Sequence, residues 1–189
     1  MPSKGALRKA EIVDGLQRVM AESGYGGASV SAIARSAGLA PGLVHYHFAN
    51  KQAVLLALVE RLAMQLRHRF ETRDVAGLAA EQRLDALIDA LLGLGEDADP
   101  AAAACWAQIG AEAQRQPEVR ELFDATAQQT RAQLEALLTE CGAREPRSAA
   151  TALLCAIEGA YRLGAGAPAT LPSGTAATLV KRLAKGVMQ

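Results

Sequence analysis

Residues 29–51 constrain the fold more than any other stretch of the chain. Ser29 is suited to cap a helix that carries Ile33, Ala34 and Ala37. Gly38 then supplies the left-handed backbone of a tight turn, and Leu39 resumes the apolar pattern. Pro41 has the fixed φ of a first helical position, so a second short helix is expected over 41–48. Ala32 stands where a full capping box would place Glu or Gln, which leaves the box at Ser29 half present. Small and apolar residues on both sides of the glycine let two helices cross closely. The predicted layout is a helix-turn-helix, with the second helix the one offered to a DNA groove.

The rest of the chain reads as helix throughout. Half of its 189 residues are hydrophobic and only 4% aromatic, with Ala and Leu dominant and β-branched runs scarce. Leu7, Ile12, Val13, Leu16, Val19 and Met20 give a helical period over 4–23, ended by Gly24, Gly26 and Gly27. Asn50 caps a longer helix over 51–71, with Val54, Leu55, Leu58, Val59, Leu62 and Leu66 on its apolar stripe. A connector with Asp74 and Gly77 follows. The next helix, through Leu84, Leu87, Ile88, Leu91 and Leu92, stops within 93–99. Pro100, Pro117 and Pro146 each open a further helix, a loop begins at Gly164, and Ser173 caps the last. The expected fold is all-α, about nine helices, with no internal repeat. It comprises a three-helix helix-turn-helix domain over 1–50 and a helical regulatory and dimerisation domain over 51–189, in which 51–71 is the connecting helix.

Charge separates these two parts. The chain balances 20 basic against 20 acidic residues, but residues 1–70 hold nine Lys and Arg against four acids, a surplus of five. The remainder holds eleven against sixteen, and all three histidines (45, 47 and 68) lie in the basic part. A basic head on an acidic body predicts phosphate contact by the head alone. Cys105, Cys141 and Cys155 show no C-x-x-C spacing, and neither a secretory leader nor a membrane span is read, so reduced thiols and a cytoplasmic location are expected.

Several sharper readings compete with bland ones. His45 and His47 lie two apart and point to opposite sides of a helix, so no metal site is expected. Arg67, His68 and Arg69 read as a solvated helix surface. Met64, Cys105, Trp106, Phe123 and Tyr161 are candidates to line an effector pocket, although core packing explains each singly. Glu158 precedes Arg162 by four residues, the spacing of an intrahelical ion pair, with contact to a cationic effector as the alternative. Ala156, Gly159 and Ala160 let a partner helix approach, so a homodimer is expected through the last two helices, about 146–166 and 173–188. No Gly-rich phosphate loop, G-x-S-x-G or metal-spaced cluster appears, so neither an enzyme nor a cofactor is expected.

Residues 29–51 resemble the DNA-binding domain of the TetR (tetracycline-repressor) family. The likeness is carried by Ser29-Val30, Ile33-Ala34, Ala37-Gly38-Leu39, Gly42, His47-Phe48 and Lys51, in order and without a gap, and extends over about 5–60. Residues 106–138 resemble the betaine-regulator (BetI-like) branch, where an aromatic-bearing helix precedes one opened by Pro-Glu. The resemblance implies a dimeric regulator of double-stranded operator DNA, a repressor released by a small-molecule effector. The alternatives are a DNA-binding regulator without an effector and an all-helical enzyme or carrier. By position, Pro41, Gly42, Leu43 and Tyr46 would face the major groove and His45 and His47 approach phosphates. Lys51 would grip the backbone and Ser29 support a phosphate, with Lys4 and Arg35 as auxiliary contacts. The chain departs from the family pattern at Ala40, where a capping Ser or Thr is usual, and at His45, where Tyr is commonest. With no Arg, Asn or Gln on the recognition helix, readout would lean on thymine methyls, a Tyr hydroxyl and DNA shape.

Overall fold

The structure, a computed structural model, describes residues 3–73, 75–92, 100–172 and 174–188. These residues form nine helices and no strand: α1 (Lys4–Gly27), α2 (Val30–Ser36), α3 (Pro41–His47), α4 (Lys51–Glu71), α5 (Ala80–Leu91), α6 (Pro100–Glu112), α7 (Pro117–Glu140), α8 (Pro146–Gly166) and α9 (Thr175–Val187).

Their ends follow the local chemistry. The Ser3, Ser29 and Asn50 side chains accept from the N–H groups of Ala6, Ala32 and Ala53, at 3.2, 3.1 and 2.9 Å. Helix α1 loses helical geometry at Gly24 (φ 73°), where the sequence predicts its end, and one more turn carries it to Gly27. At the other end of α2, Gly38 has φ 69°. The Leu39 N–H reaches the Ala34 carbonyl at 2.9 Å and the Gly38 N–H that of Arg35 at 3.1 Å. This is a Schellman motif, in which the left-handed residue lets two end carbonyls find donors. Helix α8 runs to Gly166, two residues past the expected break, because Gly164 is tolerated within its last turn. Asp74, the segment 93–99 and Ser173 lie outside the described residues. Gly174, with φ 82°, stands at the N-cap of α9.

The chain divides into two compact units. The first takes Met1–Leu62 with Pro100–Phe123, and the second Ala63–Asp99 with Asp124–Gln189. The boundary between these compact units thus falls within α4 and α7, and α6 belongs with the first three helices.

In the first unit α1 packs on α2, α3 and α6. Ile12, Leu16, Met20, Ile33, Val44, Leu55 and Leu58 are buried. The α1–α2 crossing depends on Gly15: a Cβ built there would lie 2.7 Å from the Ile33 carbonyl oxygen and 3.1 Å from the Ala37 Cβ. No larger residue permits that approach. Arg18 then ties α1 to the end of α2, donating to Ser36 Oγ at 3.1 Å and to the Ser36 carbonyl.

The second unit is an apolar bundle. Leu84, Leu87, Ile88 and Leu91 of α5 meet Leu134 and Leu138 of α7, Leu153 and Ile157 of α8, and Val180 of α9. Each fully buried Leu contributes roughly 1.5–3 kcal/mol. Lys181 of α9 reaches Asp89 of α5 at 2.7 Å, and the Tyr161 hydroxyl donates to the Leu91 carbonyl. Leu163, Leu179 and Leu183 point away from this core, 43%, 50% and 40% exposed.

Candidate nucleic-acid interface

Helix α3 has seven residues, and Val44, 1% exposed, is its only buried one. Pro41, Gly42, Leu43, His45 and Tyr46 are exposed, Tyr46 to 81%. A tyrosine this open does nothing for the core; its ring only meets the His47 ring edge-on, with centroids 5.0 Å apart. His47 and Phe48 are half-buried, with the Lys9 ammonium 5.9 Å from the Phe48 ring centre. Ala40 has the extended backbone of an N-cap (φ −72°, ψ 143°) but no side chain to cap with. Arg35 is exposed in the last turn of α2, and Ser29 is exposed at its start. The structure therefore brings Ser29, Arg35, residues 41–47 and Lys51 together on elements of one compact unit.

Lys51 is held more firmly than a free surface lysine. Its ammonium donates to the Tyr25 carbonyl at 3.0 Å and sits 4.0 Å from the centre of the Tyr25 ring. A cation at the first position of a helix meets the positive end of the helix dipole, and the carbonyl and the π-face offset that repulsion. Tyr25 is held in turn by α6. Gln108 Oε1 accepts its N–H at 3.1 Å while Gln108 Nε2 donates to the Met20 carbonyl at 3.0 Å, so one amide spans the break at Gly24. Burial raises the Tyr25 phenol above its usual pKa, a hydrogen bond from Gln116 pulls it down, and the Glu112 charge raises it. Sequence reasoning missed Gly15, Tyr25 and Gln108. The G-Y-G-G run at 24–27 marks a chain break, but nothing in it points to a lysine 26 residues later.

The candidate effector residues fall into two groups. Cys105, Trp106 and Phe123 belong to the first unit: Cys105 is fully buried with its thiol 3.4 Å from the Gln17 carbonyl, and the Trp106 and Phe123 rings lie 5.1 Å apart. Met64, Glu158 and Tyr161 belong to the second, Met64 being 54% exposed and Glu158 half-buried. Burial raises the Tyr161 phenol, with the Glu158 charge adding and Arg69 opposing. A recess of about 10 Å³ in the second unit, room for one water, is lined by Arg67, Thr126, Gln129 and Thr130 among others. Arg67, expected on a solvated surface, is half-buried there and donates to Gln129 at 3.3 Å. Among the described residues no three His, Cys, Asp or Glu are placed to share a metal ion, and no helix is long and apolar enough to cross a membrane.

Comparison with known proteins bears on both ends of the chain. Residues 12–58 match the model of a family described as bacterial regulatory proteins, tetR family, and residues 79–189 match that of the BetI-type transcriptional repressor C-terminal domain. The chain is 32% identical to the HTH-type transcriptional regulator BetI of Rhizobium meliloti (strain 1021), over 85% of this chain and 80% of that protein. Its fold is similar to that of a transcriptional regulator from Rhodococcus sp. Rha1, with a TM-score of 0.87, 28% identity and 96% of each chain covered. It is also similar to that of a regulator from Saccharomonospora viridis solved in complex with choline, with a TM-score of 0.77, 20% identity, and 94% and 93% of the two chains covered.

Proposed function

Because this chain belongs to the TetR family of bacterial DNA-binding transcriptional regulators, with a C-terminal domain of the BetI type, we propose that it acts as a homodimeric repressor whose heads occupy successive major grooves and let go when an effector binds. Membership of a family of regulators sets aside the all-helical enzyme or carrier. The observation that carries the reading of the head is the crest of α3, where Leu43 and Tyr46 are exposed beside Val44, the single residue that anchors the helix. In this reading Pro41, Gly42, Leu43 and Tyr46 meet base edges and thymine methyls. His45, His47, Lys51, Arg35 and Ser29 meet phosphates.

The division of labour is functional: 1–50 reads DNA and 51–189 regulates and dimerises. Dimerisation through α8 and α9 is supported by Leu163, Leu179 and Leu183, three large apolar side chains exposed on helices whose opposite faces already fill a core. Symmetric heads on two half-sites are how such domains reach useful affinity. For the effector, the regulator solved with choline supplies a first compound to test. A quaternary ammonium is recognised by aromatic faces and a carboxylate; Trp106 and Phe123, with Cys105, offer such faces in the first unit, and Tyr161 and Glu158, with Met64, offer a face and a carboxylate in the second.

The test is retardation of a DNA fragment from beside the protein's own gene, across a salt series and with and without choline. Sequence-specific binding that weakens with salt is expected, and Tyr46→Ala should change the preference among sequences rather than the salt dependence. No specific binding to any genomic fragment at low salt would overturn the reading of the head. Specific binding that choline leaves unchanged would overturn choline as effector, and thermal-shift screening of other metabolites would then distinguish a different effector from none.

A further inference from the structure

We infer that Tyr25 is the positioning residue through which α6 sets the Lys51 ammonium for DNA. The inference rests on the reading of Lys51 as a phosphate contact. A lysine side chain has four rotatable bonds and loses affinity for every conformer that points elsewhere. Here the ammonium is fixed on two sides, by the Tyr25 carbonyl at 3.0 Å and the Tyr25 ring at 4.0 Å. An ammonium has three N–H donors and the carbonyl takes one, which leaves two for phosphate oxygens. Tyr25 lies just past Gly24, whose left-handed φ of 73° interrupts the helix, so the α1 hydrogen-bond ladder does not fix it. What fixes it is α6: Gln108 Oε1 accepts its N–H at 3.1 Å while Gln108 Nε2 donates to the Met20 carbonyl at 3.0 Å. Displacement of α6 would therefore withdraw the support of Lys51 without touching the recognition helix. α6 and the head belong to one compact unit, as such a linkage requires.

The test is the slope of log binding constant against log salt for the full chain on duplex DNA, since each phosphate contact contributes about 0.9 to it. Lys51→Ala should lower the slope by about 0.9 per head. Tyr25→Leu should lower it equally, Tyr25→Phe should keep the original slope, and the double variant with Lys51→Ala should be no weaker than Lys51→Ala alone. A purely structural Tyr25 would lower the melting temperature and leave the slope intact. An unchanged slope in Lys51→Ala overturns the phosphate reading and this inference with it. A lowered slope in Lys51→Ala beside an unchanged one in Tyr25→Leu overturns the inference alone. Should Tyr25→Leu not fold, Gln108→Ala carries the same test: it keeps the ring and frees the Tyr25 main chain, and an unchanged slope there overturns the inference.

Discussion

The two compact units hold themselves together by different means. In the second, long helices meet through leucines and alanines, and the core is a matter of volume. In the first, α2 and α3 have only seven residues each, too few to fix an orientation by apolar burial, and α3 buries Val44 alone. There the geometry comes from individual ties: the Gly15 approach, Arg18 on Ser36, Arg61 bridging to Asp14 and Gln17, and the Gln108 fork. A surface that must match a groove needs position, and directional bonds specify position where volume filling specifies only proximity.

The difference can be broken from either side. The largest loss of stability is expected from Leu134→Ala in the second unit. Leu134 is fully buried at the centre of the cluster, and the cavity should cost about 2–5 kcal/mol in urea unfolding. The folded fraction should retain the salt slope of DNA binding. Gly15→Ala should cost less, about 1–3 kcal/mol, because α1 and α2 must move apart to relieve a contact with main chain. Its effect on DNA retardation should nevertheless exceed that of Leu134→Ala, since the crossing it disturbs aims α3. Equal DNA affinity in the two folded variants would contradict the contrast between position and volume.

Tyr161→Phe probes a directional bond inside the volume-filled unit. Removing the hydroxyl that donates to the Leu91 carbonyl should cost about 1 kcal/mol at neutral pH. The pH dependence follows from the raised pKa, which burial causes first and the Glu158 charge second. An unfolded tyrosine loses its proton near the ordinary value of 10.0, while the folded one keeps it. The unfolded state then binds fewer protons, so the contribution of Tyr161 is full below that pH and declines as pH rises through it. Unfolding followed between neutral pH and above 10 should therefore show the gap between the two proteins narrowing. A gap that widens would mean that the phenol is not held neutral.

The fold was legible because its signals are local. Ser29, Gly38, Pro41, Asn50, Pro117 and Pro146 each mark a boundary through a bond or a backbone angle within a few residues, and the structure puts a boundary at every one. Which residues of α3 face outward came instead from the family resemblance, carried over by position, as did the departure from the family's pattern at Ala40. What escaped was long-range. The place of α6 in the first unit and the Tyr25–Lys51–Gln108 arrangement join residues up to 83 apart through side-chain to main-chain bonds, which leave no period in a sequence. Gly15 was invisible because a glycine on a helix reads as a weak position until the helix lying against it is known. Arg67 read as solvated because charge on a helix usually is, and only the fold reveals Gln129 beside it.

The only expected gain is at Ala40. Its backbone already has the extended angles of an N-cap, and its carbonyl already accepts the Leu43 N–H at 2.9 Å, so only the side-chain oxygen is wanting. Ala40→Ser supplies that oxygen to a free N–H in the first turn of α3 without moving the chain, and a cap of this kind is worth about 1 kcal/mol. In a protein of this size that corresponds to a rise of roughly 2–4 °C in melting temperature. The same hydroxyl stands at the edge of the proposed DNA surface, where it can also reach a phosphate, so affinity should rise for all sequences alike. A melting temperature that does not rise would show that the first turn of α3 is already held by something other than its cap. A change in sequence preference instead would show that residue 40 faces bases, and would move the groove-facing edge of the helix one residue towards its start.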